Sequence, residues 1–345
     1  MKRDSYLNPW KGALIGVLFI FILVQLDWEV NTEKPYYFTR FAMGTTIEYT
    51  IMAPEKKRAR AAMLKAHQEI ERIERLFSEE DSTSEIYRFN HSEAGISTCA
   101  EVYYCIHRAL DHHKKTKGAF DITIKPVLDL YPFKSDHPSP PSDGLIRKAL
   151  NNVGVNKLEV SYYDNSWRVG KPGKEVGLVM GSIVKGYAVD RAIEILRANN
   201  IKNGIINAGG DIYCLGTKNG ELWSIGVQHP RQVGMILETL SLSNMAVATS
   251  GDYQRYFLYE GERYHHILDP QTGKPARKAR SATIIAPTAE AADAWATALF
   301  VLGPYEGIRL VNTRADIFGA AVDSSGAIFY SVGFQHYLKN KDITN

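Results

Sequence analysis

Two apolar periodicities alternate along this chain, and the places where one gives way to the other divide it into elements. Residues 36–51 read as two strand-like stretches around Met43-Gly44-Thr45-Thr46. From about 55 to 77 the period lengthens. Met63, Ala66, Ile70, Ile73 and Leu76 recur at three- and four-residue steps, which predicts one buried face of a long helix. An acidic, turn-like stretch covers 78–83, and a second helix is predicted over 100–115, ending in basic residues ahead of Gly118. Residues 131–144, rich in Pro, Ser and Asp, predict an exposed loop. Beyond it, 155–160 and 166–169 resemble a hairpin, 186–199 a helix and 204–206 a strand, while 222–248 and 256–285 are mostly β in pattern. Pro287 and Thr288 then mark a helix start, with Thr288 as N-cap and Glu290 in the first turn. No internal repeat is evident. The mixture predicts an α+β fold rather than a doubly wound sheet.

Composition changes this picture at one end only. Lys2 and Arg3 precede an apolar run over 12–26, flanked by Trp10 and Lys11 before it and by Asp27 and Trp28 after it. The run is slightly short for a spanning helix, but lysine can snorkel and tryptophan favours the interface. No small-residue cleavage site follows it. We therefore expect an uncleaved signal anchor over 1–30 in a bacterial inner membrane, with a domain over 31–345 on the periplasmic or exterior side; the alternative is a cleaved signal peptide. Over 345 residues the formal charge is only +3, with Lys and Arg scattered, which argues against a nucleic-acid surface. Cys99, Cys105 and Cys214 form no Cys-x-x-Cys pair, and the six-residue spacing of the first two on a helix disfavours a disulfide.

Candidate chemistry lies in the polar interruptions. Asp293 and Thr297 are four residues apart, which on a helix puts a carboxylate and a hydroxyl on one face. Both are hard oxygen ligands of the kind Mg²⁺ takes while also gripping a phosphate. The alternative is a threonine bonding back to its own helix. In Asn207-Ala-Gly209-Gly210-Asp211, adjacent glycines between strands make either a plain turn or a backbone nest suited to phosphate. Gly181-Ser182-Ile-Val-Lys185-Gly186 opens a helix, offering its N-terminus and a lysine to an anion, or simply a solvated lysine. Ser250-Gly-Asp252-Tyr253 and His265-His266-Ile-Leu268-Asp269-Pro270 complete the set. A histidine at a strand end suits a general base near neutral pH, whereas His112, His113 and His137 are expected on the surface. There is no Gly-x-Gly-x-x-Gly, no Walker loop, and no glycine placed before Ser250 to form a nucleophile elbow.

Taken in order, these pieces resemble the FAD:protein FMN transferases of the ApbE type. The resemblance rests on Met43-Gly-Thr45, Phe77-Ser78, Ser84-Glu-Ile-Tyr-Arg-Phe-Asn90 and Gly118-Ala119-Phe120-Asp121. It continues through residues 181–190, 207–211, 250–253 and 266–270 to Asp293-Ala-Trp-Ala-Thr297. It implies a mainly antiparallel, T-fold-type α+β domain that binds FAD with Mg²⁺ and moves the FMN half onto a Thr or Ser hydroxyl of another protein, releasing AMP. The implied acceptors are exported or membrane flavoprotein subunits of respiratory or ion-pumping complexes. By the same resemblance the Ser182 carbonyl, Asp293 and Thr297 would hold the metal. Met43, Ala119, Phe120, Asp121, Lys185 and Leu268 would line the FAD site, with Asn207, Gly209, Gly210 and Asp211 close by. The attacking hydroxyl needs a base, for which His266 is the first candidate and Asp252 the second.

Two positions depart from the family pattern. Val179 stands where an FAD-contacting Asp is usual. Glu80 stands where Tyr is usual, and a carboxylate beside a pyrophosphate is repulsive unless it meets a cation. An FAD pyrophosphatase, with water in place of the protein hydroxyl, and a non-catalytic flavin-binding accessory protein are the competing expectations.

Overall fold

β1 (Lys34–Ala42) and β2 (Thr45–Ala53) open the fold as the predicted hairpin, turned at Met43 and Gly44. Both turn residues have positive φ, 53° and 69°, the geometry that matches a tight hairpin turn to the twist of its strands. The computed structural model describes residues 33–339, so the expected anchor over 1–30 lies outside them. Among the described residues no helix is long and apolar enough to cross a membrane.

The hairpin begins an eight-stranded sheet, ordered β1-β2-β6-β7-β10-β13-β14-β15 and antiparallel throughout. Its further strands are β6 (Gly204–Ala208), β7 (Asp211–Leu215), β10 (Met245–Gly251), β13 (Ala279–Ala286), β14 (Phe318–Asp323) and β15 (Ile328–Tyr330). Alternation along the strands feeds two cores. In β10, Ala246 and Ala248 face the helices while Val247 faces the opposite side. On the helical side lie α1 (Lys56–Phe77), α6 (Gly181–Ala198) and α7 (Ala289–Val311). α1 buries Met63, Ala66, Ile70 and Ile73, as its spacing predicts, while Leu76 is only half-buried. On the other face sits the hairpin of β8 (Trp223–Gln228) and β9 (Ile236–Leu242), whose Trp223, Ile225 and Val227 pack on Cys214, Val247 and Ile285. This is a mixed α+β fold of antiparallel sheets with packed helices.

Smaller elements close one end. α2 (Glu85–His91) is capped by Ser84, and α3 (Ala100–Lys115) has the predicted limits. α4 (Lys125–Leu128) and α5 (Asp143–Leu150) flank the predicted loop. β3 (Gly95–Thr98), β5 (Ser166–Gly170) and β4 (Glu159–Tyr163) form a small sheet, and β11 (Tyr256–Tyr259) pairs with β12 (Glu262–His265). The hairpin expected from 155 therefore starts later: Val155–Lys157 is a 3-10 turn, and pairing begins at Glu159. Cys99, Cys105 and Cys214 are free thiols.

Histidine placement needs correcting. His112 is buried, its Nε2 2.8 Å from Glu290 Oε1, and Arg108 also reaches Glu290 at 3.0 Å. Burial raises the Glu290 pKa, but the bonds from His112 and Arg108 outweigh it and hold the group below its ordinary value. His113 is half-buried, with Nδ1 3.0 Å from the Phe120 carbonyl and 3.3 Å from Asp121; only His137 is exposed. The partners of both rings, Glu290 for His112 and the Phe120 carbonyl for His113, lie outside α3, so short-range pattern cannot tell these paired histidines from solvated ones.

Candidate active site

Hairpin turns meet at one end of the large sheet. Gly209 and Gly210 join β6 to β7 at φ 60° and 105°, and a Cβ on Gly209 would come within 2.5 Å of Thr45 Oγ1 in the neighbouring turn. Glycine is required there for both conformation and space. Beside these turns lie the end of β10, the first turn of α6 and the middle of α7. Together with residues 119–135 and 266–270 they enclose a cavity of about 1240 Å³.

At its base, α6 and α7 bring together residues far apart in sequence. Lys185 forms an ion pair with buried Asp211, and its Nζ lies 4.0 Å from Asp293 Oδ2. Burial lowers the lysine pKa, but the two carboxylates outweigh this and hold it above its ordinary value. The Asp293 pKa is also raised, to about 8, first by burial and then by the charge of Asp211, with Lys185 offsetting part of it; for a carboxyl this disfavours the charged form. Two carboxylates thus share one lysine, and the negative charge at Asp293 is under-compensated. Thr297 Oγ1, one turn along α7, lies 3.4 Å from Ser250 Oγ rather than bonding back to its own helix. Ser182 occupies the opening turn of α6 and also lines the cavity. Among the described residues no group of three or more His, Cys, Asp or Glu is placed to hold a metal. A site here would draw on one carboxylate, a hydroxyl and a carbonyl, the mixed oxygen set that suits a hydrated divalent cation.

The upper wall carries His266. Its Nδ1 lies 3.2 Å from the Arg255 carbonyl, and since a carbonyl can only accept, Nδ1–H donates. Nε2 then keeps a free lone pair in the neutral ring. Burial, together with the nearby His265, Arg255 and Lys185, pulls the His266 pKa down to about 4, although the bond to the Arg255 carbonyl works against it. Its neighbour His265 is buried and fully engaged, bonding the Ala276 carbonyl at 2.8 Å and the Ile267 N–H at 3.3 Å.

Of the remaining predicted residues, Met43, Glu80, Ala119, Phe120, Asp121, Val179, Gly209 and Leu268 line the cavity. Asp121 also caps the short turn after it, accepting the Thr123 N–H at 2.7 Å. Glu80 is exposed and paired with Lys134, which supplies the cation its charge calls for. Val179 packs with Leu268 and the cluster around Ile124 and Val127, so the wall is apolar where the family pattern is acidic.

Three residues stand apart. Asp252 does not line the cavity: Arg231 grips both its oxygens at 2.7 Å, and Arg263 adds a contact at 3.1 Å. A carboxylate whose lone pairs are committed to two guanidiniums is a poor proton acceptor, so Asp252 is withdrawn as a candidate base. Asn207 also lies off the cavity, donating to Glu48 at 2.8 Å and accepting the Gly210 N–H at 2.9 Å. Gly210 serves the turn without lining the cavity.

Sequence reasoning missed Asn90 and Asp190 as supports. Asn90 clamps Leu178, accepting its N–H at 2.7 Å and donating to its carbonyl at 3.0 Å, which fixes the irregular segment that carries Val179. Asp190 caps α7 from α6. The quoted motifs held both residues, but nothing local distinguished a support from a ligand.

The comparisons decide what kind of protein carries this site. The family model described as "ApbE family" matches residues 43–321. This chain belongs to the ApbE family. A Haemophilus influenzae protein named FAD:protein FMN transferase is 33% identical over 316 residues, covering 88% of this chain and 90% of the relative. A Vibrio cholerae protein of the same name is 30% identical, covering 89% and 92%. Among solved structures, the ApbE protein of Thermotoga maritima superposes with a TM-score of 0.82 at 34% identity, covering 89% of this chain and all of that one. The flavinyl transferase ApbE of Pseudomonas stutzeri gives 0.77 at 28% identity, covering 91% and 99%. The ApbE match begins at Met43 and ends within β14, so the cavity lies wholly inside it.

Proposed function

We propose that this ApbE-family chain is an FAD:protein FMN transferase, moving FMN from FAD to a Thr or Ser hydroxyl of an acceptor protein and releasing AMP. The observation that carries the reading is one cavity of about 1240 Å³ holding both an under-compensated carboxylate, Asp293, and a neutral histidine, His266. Its volume exceeds the roughly 300–1,000 Å³ usual for small-molecule pockets, as a dinucleotide requires. The names of the relatives point the same way.

The residues divide the work. His266 Nε2 takes the proton of the acceptor hydroxyl as its oxygen attacks the phosphorus of the FMN half. The bond from that phosphorus to the bridging oxygen breaks, and AMP leaves with the oxygen. Lys185 holds Asp211 and lends positive charge at the base. Asp293, Thr297 and the Ser182 carbonyl would hold Mg²⁺, which when bound supplies charge to offset the pyrophosphate. The apolar wall around Val179 and Leu268 limits water, the competing acceptor.

Location is part of the same proposal. The apolar run over 12–26 is read as an anchor in the bacterial inner membrane, holding the domain on the periplasmic or exterior side. There it would meet flavoprotein subunits of respiratory or ion-pumping complexes. Membrane fractionation of the full-length chain, with release after deletion of 1–30, tests this; full-length protein in the soluble fraction counts against it.

Incubation of the full-length protein with FAD, Mg²⁺ and candidate acceptors tests the activity. AMP is expected, lost with a chelator and restored by Mg²⁺. No AMP from FAD with any acceptor would leave only flavin binding.

A further inference from the structure

Three hydrogen bonds link α6 and α7, two running one way and one the other, and all lie close to the proposed metal donors. Asp190, on α6, accepts the Ala289 N–H at 2.7 Å and the Glu290 N–H at 2.9 Å, the first free donors of α7. In return Asp293, on α7, accepts the Gly186 N–H of α6 at 3.4 Å. Gly186 and Asp190 are four apart, as are Ala289 and Asp293, so each pair shares one face of its helix. Between these bonds the helices touch backbone to backbone. A Cβ on Gly186 would come within 2.2 Å of the Ala289 carbonyl oxygen. The result is a ladder of two rungs, one from each aspartate, and a steric stop.

This ladder sets the distance between the proposed donors. Ser182 lies two turns before Asp190 on α6, and Asp293 and Thr297 follow one and two turns after Ala289 on α7. The Gly186 N–H, which an α-helix ordinarily directs at the Ser182 carbonyl, also reaches Asp293 Oδ2 at 3.4 Å, tying the opening turn of α6 to Asp293. Asp190 is not among the residues lining the cavity, so it contacts no substrate from this position. Capping of this helix end is shared, since Thr288 accepts the Ala291 N–H at 3.2 Å through its hydroxyl and the Ala292 N–H at 3.1 Å through its carbonyl.

We propose that Asp190 is a positioning residue that sets the spacing of Ser182 against Asp293 and Thr297, and so the affinity for the divalent cation. The proposal rests on the metal role assigned above. Partners of metal ligands commonly contribute about 10- to 100-fold to metal affinity. Asp190→Asn keeps one acceptor oxygen and sets an NH₂ group against the second N–H.

The test is Mn²⁺ binding to the full-length, FAD-loaded protein, followed by electron paramagnetic resonance and needing no turnover. Mn²⁺ takes the same oxygen donors as Mg²⁺. Asp190→Asn is expected to weaken Mn²⁺ by at least about tenfold, while FAD affinity without metal stays within about twofold. Thr288→Ala is the control, removing the other cap of the same helix end without touching the ladder. It should lower the melting temperature by about 2–4 °C with Mn²⁺ affinity unchanged. Should Asp190→Asn fail to fold, Asp190→Glu, with its oxygens one methylene further from α6, is expected to weaken Mn²⁺ at least about threefold. Unchanged Mn²⁺ affinity in the Asp190 variant, or an equal loss in Thr288→Ala, overturns the proposal in favour of plain capping. Failure of the wild-type protein to release AMP would instead strike at flavin transfer, leaving the Mn²⁺ comparison readable.

Discussion

With Nδ1–H committed to the Arg255 carbonyl, His266 is held as the tautomer whose Nε2 can accept a proton. His266→Ala should lower kcat by about 10²- to 10⁴-fold, the usual span for a positioned base, with FAD affinity changed little. Its depressed pKa also fixes a sign. The ring is active when neutral, so activity should persist as pH falls through 6.5 and be lost only as pH approaches about 4. An acidic limb near 6.5 in the rate profile would remove His266 as the base. Asp293 behaves oppositely. Its pKa is raised in the fold, so in metal-free protein its ionisation costs stability as pH rises toward and through about 8. Asp293→Asn should therefore raise the melting temperature of metal-free protein at pH 8, by at least about 1 kcal/mol in stability, and abolish stabilisation by Mg²⁺. A variant that Mg²⁺ still stabilises would remove Asp293 from the metal site. Single residues were legible where a motif set the spacing, as in Asp293 and Thr297, which the fold places together on the cavity. Asp252 was misjudged because its arginine partners, Arg231 and Arg263, lie 21 and 11 residues away in sequence.

Helices were the most legible elements, because a face of α1 or a cap such as Thr288 is written within a few adjacent residues. What the pattern did not carry is why α6 contains a glycine in its interior. Gly186 is there because Ala289 leaves no room for a side chain. Gly186→Ala should cost about 1–3 kcal/mol through forced separation of α6 and α7, even though alanine is the better helix former. Chemical denaturation checks this, and a neutral or stabilising result would contradict the close crossing. Short elements were harder. The turn at Val155–Lys157 runs almost directly into β4, and only pairing with β5 shows where β4 begins.

At the scale of the whole molecule, the α+β class was legible but the convergence was not. Lys185, Asp211 and Asp293 come from a helix, a hairpin and another helix, and only the strand order of the large sheet brings them to one end. That convergence predicts linked binding. FAD and Mg²⁺ together should raise the melting temperature more than the sum of each alone, because on the proposed reading the pyrophosphate and Asp293 would hold the same cation. Strict additivity would place the two at separate sites. The central claim is transfer of FMN to protein rather than to water, and the stoichiometry of products measures it most directly. With FAD, Mg²⁺ and a competent acceptor, the account predicts one AMP released for each acceptor that gains FMN less a water in intact-mass analysis. AMP matched by free FMN, with the acceptor mass unchanged, would contradict it.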